Sequence, residues 1–170
     1  MSASEPPTQR EHIVSSVEVE IAAPAAFVWD VLVDYPSYPQ WNPYTVQVRT
    51  TLAIGDPIDL TLPSPDGSGG TFVNREYIRV VDPPHHLRYD TGAEMPGIFA
   101  VRDQWLAESG PGSCTYRTTD AISGKYADTV METTGAWVKA GFDAVAHALK
   151  ARAEELWAAA RAAGEPGRPG

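Results

Sequence analysis

The stretch Ile21-Ala-Ala-Pro24-Ala-Ala-Phe27-Val-Trp29-Asp-Val-Leu32-Val-Asp-Tyr35-Pro-Ser-Tyr38-Pro-Gln-Trp41-Asn-Pro43 decides how this chain folds. Ahead of it, Ile13, Ser15, Val17, Val19 and Ile21 alternate with Val14, Ser16, Glu18 and Glu20, which predicts a half-buried strand over 13–21 with the two sets on opposite faces. Pro24 suits a helix start, where its missing N–H is one that goes unbonded anyway. Phe27, Val28, Val31, Leu32 and Tyr35 then recur at helical spacing. Pro36 and Pro39 stop a regular helix, and Trp41-Asn42-Pro43 leads out, with Asn42 suited to turning the backbone.

Working outward, strands are predicted over 44–50, 57–62, 71–81, 86–91, 98–107 and 114–122. Between them lie Pro63–Gly70, Asp82–His85, Gly92–Gly97 and Glu108–Ser113, all rich in turn residues. Strands at this spacing with short connections pair as antiparallel hairpins. From Ala127 to Ala163 there is no proline, and Val138, Phe142, Val145, Leu149 and Leu156 form one apolar stripe of a long helix. Asp143, His147, Lys150 and Glu154 lie opposite. The organisation expected is a flexible tail over 1–11, one α+β domain over 12–163 and a second tail over 164–170.

The 170 residues carry a net charge of −9. That balance argues against nucleic-acid binding, which needs clustered Lys and Arg, and against attraction to an anionic membrane surface. Cys114 is the only cysteine, so no disulfide forms within the chain, and it reads as a buried structural thiol. The N-terminal residues lack the charged and apolar regions of a signal peptide, and no apolar run reaches the ~18 residues of a membrane span. The expected location is cytoplasmic. Hydrolase, metalloprotease and phosphate-loop motifs are absent from the sequence. His85 and His86 are adjacent, so in extended backbone they point to opposite faces and chelate one metal poorly. No metal and no cofactor are expected.

The order of elements around Ile21–Pro43 resembles the N-terminal signature of the SRPBCC superfamily, which includes START-like lipid-transfer domains and polyketide cyclase/dehydrases. The resemblance extends over nearly the whole chain. It implies a helix-grip fold: a curved antiparallel sheet of seven strands, two short helices and a long C-terminal helix that together enclose a cavity. It also implies a small hydrophobic or aromatic, polyketide-like ligand inside that cavity, with cofactor-independent cyclase/dehydratase activity. The alternative is a non-catalytic carrier or sensor of such a ligand. Neither membrane insertion nor nucleic acid is implied, and the chain is a monomer or a homodimer.

Which residues line the cavity depends on register, because a one-residue slip turns every side chain over. On the last strand, Cys114, Tyr116, Thr118, Asp120 and Ile122 are more apolar than the set containing Arg117, and are expected inward. On the strand before it, Val101, Asp103, Trp105 and Ala107 are expected inward, sending Arg102 to solvent; the resemblance supports Trp105 there. Leu87 and Tyr89 are expected inward on 86–91, and Phe72, Asn74, Glu76, Ile78 and Val80 on 71–81. The expected ligand-binding residues are then Trp41, Glu76, Tyr89, Met95, Trp105 and Thr118, with Trp137 and Phe142 from the helix. Asp103 and Asp120 are the candidate acid–base groups, since burial raises a carboxyl pKa, and Tyr44 or Tyr116 would position a substrate oxygen. In aromatase/cyclase relatives an inward Arg and Tyr are credited with catalysis. Tyr44 fits that pattern, but this register supplies no inward Arg. An Arg102 or Arg117 buried against the long helix would restore that reading.

Overall fold

The computed structural model describes residues 10–164. Within them, β1 (His12–Ser15) and β2 (Val19–Ile21) lead into α1 (Ala25–Val33), a single 3-10 turn (Tyr35–Ser37) and α2 (Tyr38–Trp41). Then come β3 (Gln47–Thr50), β4 (Pro57–Pro63), β5 (Thr71–Asp82), β6 (His86–Asp90), β7 (Phe99–Gly110) and β8 (Ser113–Ser123), and finally α3 (Ala127–Gly164). All strand pairs are antiparallel, in the order β1-β8-β7-β6-β5-β4-β3, with β2 also on β8. This is the expected helix-grip architecture, with α3 against the inner face of the sheet. Of the two expected tails, only residues 10, 11 and 164 fall among the described residues, and Gly164 is the last residue of α3.

The sheet has eight strands where seven were expected, because the first strand breaks in two. Ser16 exchanges two hydrogen bonds with Thr118: its N–H donates to the Thr118 carbonyl at 2.9 Å, and its hydroxyl accepts the Thr118 N–H at 3.0 Å. That hydroxyl also donates to the Val17 carbonyl at 2.8 Å. The interruption inverts the alternation. Val14 and Ser16 face inward before it and Val19 and Ile21 after it, leaving Ile13 and Val17 exposed. Neither alternating set of 13–21 therefore keeps to one face along its whole length, as the single expected strand required. The strand expected from Tyr44 begins later, at Gln47. The N–H groups of Tyr44 and Thr45 are taken instead by the Asn42 side-chain oxygen, at 3.0 and 2.8 Å.

Two apolar clusters fill the space between sheet and helices. One joins α1 and the α2 segment to Ile58, Ile78, Leu87, Tyr116 and Leu149. The other gathers Tyr44, Ala100, Ile122, Val138, Phe142 and Val145. The stripe expected on the long helix is the face it buries: Val138, Phe142, Val145 and Leu149 are all under a tenth exposed. Leu156, further along, is only half-buried against the first cluster.

Gly141 lies in that second cluster for a steric reason. A Cβ at this position would sit 2.2 Å from Tyr44 Cδ2. Gly to Ala in a helix interior ordinarily stabilises by about 1 kcal/mol. Here the ring has no room to retreat, and overpacking costs about 1–3 kcal/mol. Gly141→Ala is therefore expected to lower the thermal midpoint. A rise in that midpoint would show that Tyr44 does not pack on the helix backbone.

Candidate functional site

The inward face of β7 is the opposite of the one expected. Ala100, Arg102, Gln104 and Leu106 point to α3 and are buried, whereas Trp105 is half-buried on the outer face. Asp103 is buried too, but on the outside, beneath the β6 side chains His86 and Arg88 that bond to it. The cause lies in the pairing with β8, where Arg102 stands opposite Asp120, Gln104 opposite Thr118 and Leu106 opposite Tyr116. Directly opposed residues share a face. Once Tyr116, Thr118 and Asp120 face inward, Arg102 and Gln104 must as well. Asp103 and Trp105 are thus removed from the interior.

Arg102 is 6% exposed. Its guanidinium carbon lies 4.4 Å from the centroid of the Phe142 ring and 5.9 Å from those of Tyr44 and Tyr89. Ring faces are electron-rich and attract a desolvated cation. Its Nε donates to Thr118 Oγ1 at 3.1 Å, and Thr118 in turn donates to the Asp103 carbonyl at 2.8 Å. That is the only hydrogen bond of the guanidinium among the described residues. Burial works against its charge, but its pKa still lies above the ordinary guanidinium value, so the group stays cationic, with the Asp120 carboxyl nearby favouring the charge.

Two carboxyl groups share this interior. Glu76 is 7% exposed; its Oε1 accepts from Asn74 Nδ2 at 2.8 Å and its Oε2 has no partner. Burial drives its pKa well up, the Asp120 charge adds to the rise, and Arg102 opposes it. Asp120 has an unpartnered buried Oδ1, and burial lifts its pKa to about 6 against the pull of Arg102. Tyrosines complete the polar wall. Tyr116 donates to Gln104 Oε1 at 2.7 Å, and the Gln104 amide reaches the Tyr89 hydroxyl at 3.4 Å. Burial raises the pKa of Tyr35, Tyr44, Tyr89 and Tyr116, so each stays a neutral hydroxyl.

A void of about 10 Å³ is bounded by Tyr35, Tyr38, Asn42, Thr45, Tyr89, Arg102 and Gln104, together with apolar residues of β3 and β4. It has room for about one water. Its outer wall is the α1–α2 segment, where the Tyr35 hydroxyl and Trp41 Nε1 are buried without partners.

Of the candidate residues, Tyr44, Glu76, Tyr89, Tyr116, Thr118, Asp120 and Phe142 converge on this interior. Trp137 is half-buried and packs 5.1 Å from Tyr44, towards the α3 N-terminus. Trp41 packs 5.0 Å from Tyr38 in the wall. Met95 is half-buried in the β6–β7 loop and joins neither apolar cluster. The register argument missed Arg102, Gln104, Tyr35 and Tyr38. One signal pointed to Arg102: the three carboxyls expected inward, Glu76, Asp103 and Asp120, call for a cation, since buried charges are rarely left unpaired. Cys114 is fully buried, and burial pushes its thiol up to about 11, which makes it an inert packing residue. Among the described residues no cluster of His, Cys, Asp and Glu could hold a metal ion, and no helix is long and apolar enough to cross a membrane.

A curved sheet gripping a long helix over a polar, tyrosine-lined centre defines a helix-grip domain of the START-like class. The chain belongs to the family described as polyketide cyclase/dehydrase and lipid transport, whose model matches residues 12–154. The fold recurs in the Zhui aromatase/cyclase from Streptomyces sp. R1128, at 22% identity and a TM-score of 0.68, covering 91% of this chain and 99% of that one. A norcoclaurine synthase from Thalictrum flavum is similar at 19% identity and a TM-score of 0.63, covering 89% and 99%. A START superfamily protein from Mycobacterium smegmatis gives 20% and 0.62, covering 85% and 99%. At these identities the likeness is one of fold. No curated protein sequence matches the chain.

The raised carboxyl at position 120 has a thermodynamic signature. An Asp whose folded pKa exceeds its unfolded value binds more protons in the folded state, so stability falls as pH rises between the two values. For Asp120 the window runs from 3.8 to about 6. The loss amounts to about 3 kcal/mol once the group is fully ionised. Urea denaturation of Asp120→Asn should show a shallower fall in stability from pH 4 to 7 than the unaltered chain. Parallel pH profiles for the two proteins would show that Asp120 is not desolvated.

Proposed function

We propose that this protein takes up a small hydrophobic or aromatic, polyketide-like carbonyl compound between sheet and α3, the α1–α2 wall of the one-water void moving outward to admit it, and acts on it as a cofactor-independent cyclase or dehydratase. The observation that carries this reading is Arg102: a buried guanidinium with one hydrogen bond, beside a carboxyl with an unpartnered oxygen and a pKa of about 6. A substrate carbonyl oxygen accepting from Arg102 would gain stabilisation as negative charge develops on it, where the low local dielectric strengthens the interaction. The Asp120 carboxylate would take a proton from the carbon next to that carbonyl, giving an enolate that attacks a second carbonyl of the same chain. The protonated Asp120 would then return its proton to the new alkoxide; in a dehydration the enolate would instead expel its β-hydroxyl, which takes the proton from Asp120 and leaves as water. Tyr44 and Tyr116 would orient the oxygens as neutral donors, and Glu76, protonated, would add another. Holding a flexible chain in the reactive fold supplies several kcal/mol of the barrier by itself. Similarity in fold to a solved aromatase/cyclase supports the assignment.

Enolisation is the step to test. Benzoylacetone is a planar β-diketone whose central carbon exchanges hydrogen for deuterium in D₂O, a reaction followed by proton NMR. The protein is expected to accelerate this exchange, with Asp120→Asn and Arg102→Met each lowering the enzymatic rate by about 10²-fold. Full activity in both variants would refute the roles given to these groups. Saturable binding with no acceleration would favour the carrier or sensor alternative.

A further inference from the structure

The outer face of the sheet holds a second constellation that the interior chemistry does not use. His86, Trp105 and Arg117 are successive partners across β6, β7 and β8. They therefore stand in one row, on the side opposite Tyr89, Gln104 and Tyr116. The His86 ring lies parallel to the indole of Trp105, with centroids 3.6 Å apart and planes 6° apart. Asp103 fixes the His86 ring of this pair. Itself 7% exposed, it accepts from His86 Nε2 at 2.5 Å and from Arg88 Nε and Nη2 at 2.7 and 3.1 Å. The result is a flat aromatic wall whose rotamers are held before any ligand arrives, which lowers the entropic cost of binding.

The wall flanks a groove of about 310 Å³ that includes the small side chains Ala107 and Thr115 and the charged groups Glu18, Asp82 and Arg117, with His85 beside them. Such a volume matches the lower range of small-molecule sites, roughly 300–1,000 Å³. Among the described residues, the side chains of Arg117, Glu18 and Asp82 make no hydrogen bond or ion pair, so one cation and two carboxylates line the groove unquenched. A simple anion would meet Arg117 but also two carboxylates, in a chain of net charge −9. A simple cation would suit the carboxylates but face Arg117. A ligand bearing both signs pairs with Arg117 and with one of the carboxylates at once.

We propose that this groove binds a flat aromatic zwitterion of the aromatic amino-acid class. The ring lies against the Trp105 wall, the carboxylate meets Arg117, and the ammonium meets Glu18 or Asp82. The site is separate from the interior cavity and does not depend on the reaction proposed there.

The test uses the full chain, ¹⁵N-labelled, and reads the indole N–H resonances of its five tryptophans. Three probes are titrated: tryptophan, indole-3-propionate, which lacks the ammonium, and tryptamine, which lacks the carboxylate. Tryptophan is expected to shift the Trp105 resonance saturably while leaving Trp137 unmoved, and each analogue to bind at least about tenfold more weakly, the loss of one charged hydrogen bond. Arg117→Ala alters an exposed side chain, so the fold is retained. It should weaken tryptophan about tenfold and leave tryptamine unchanged. The absence of a saturable shift at Trp105, an analogue binding as tightly as tryptophan, or an Arg117→Ala variant of full affinity would each overturn the proposal.

Discussion

Arg102 is the constraint around which the rest of the molecule is arranged. A guanidinium drawn out of water costs several kcal/mol unless its surroundings return the interaction. Here the compensation comes from three directions. The faces of Phe142, Tyr44 and Tyr89 surround the cation, Thr118 accepts its one hydrogen bond, and the carboxyls of Asp120 and Glu76 bias the local potential. These six partners sit on five elements: α3, the segment after α2, β6, β5 and β8, the last of which supplies both Thr118 and Asp120. One side chain thus ties the inner sheet face to the long helix, and its direction fixes which half of β7 faces the core.

The remaining features of the interior follow from that placement. Tyr44 reaches the guanidinium only because Asn42 holds the backbone at Tyr44 and Thr45 in a turn and Gly141 leaves space for the ring. Burial raises the pKa of both carboxyls against the pull of Arg102, and Asp120 is brought into the range where a proton is readily exchanged. On the outer face the same register sends Asp103 and Trp105 outward, where His86 and Arg88 satisfy the carboxylate and His86 covers one part of the indole.

The architecture was largely legible in the chain. Strand spacing, proline placement around Tyr35–Trp41 and the apolar stripe from Val138 to Leu149 each rest on local periodicity, which tertiary contacts did not overrule. The inward set of β8 was legible for the same reason, since Arg117 next to Tyr116 and Thr118 marks the wetter face. Register on β7 was not, because both alternating sets contain a charge: Arg102 in one, Asp103 in the other. Sending the arginine to water and keeping the aromatic Trp105 inside follows average burial preferences. The pairing with β8 overrides those preferences, since Asp120 and Arg102 are directly opposed. The split of the first strand was hidden as well, because it depends on the Ser16 hydroxyl bonding to Thr118, a residue about a hundred positions away.

The most direct test of this account is the titration of Asp120, followed by carbon-13 NMR of its carboxyl in the unaltered chain and in Arg102→Met. The account predicts a pKa of about 6 in the unaltered chain and a higher value in the variant, because the nearby cation that favours ionisation is gone. An Asp120 that titrates at the ordinary carboxylate value in both proteins would contradict it, since neither the burial of that carboxyl nor its electrostatic coupling to an inward Arg102 would then exist.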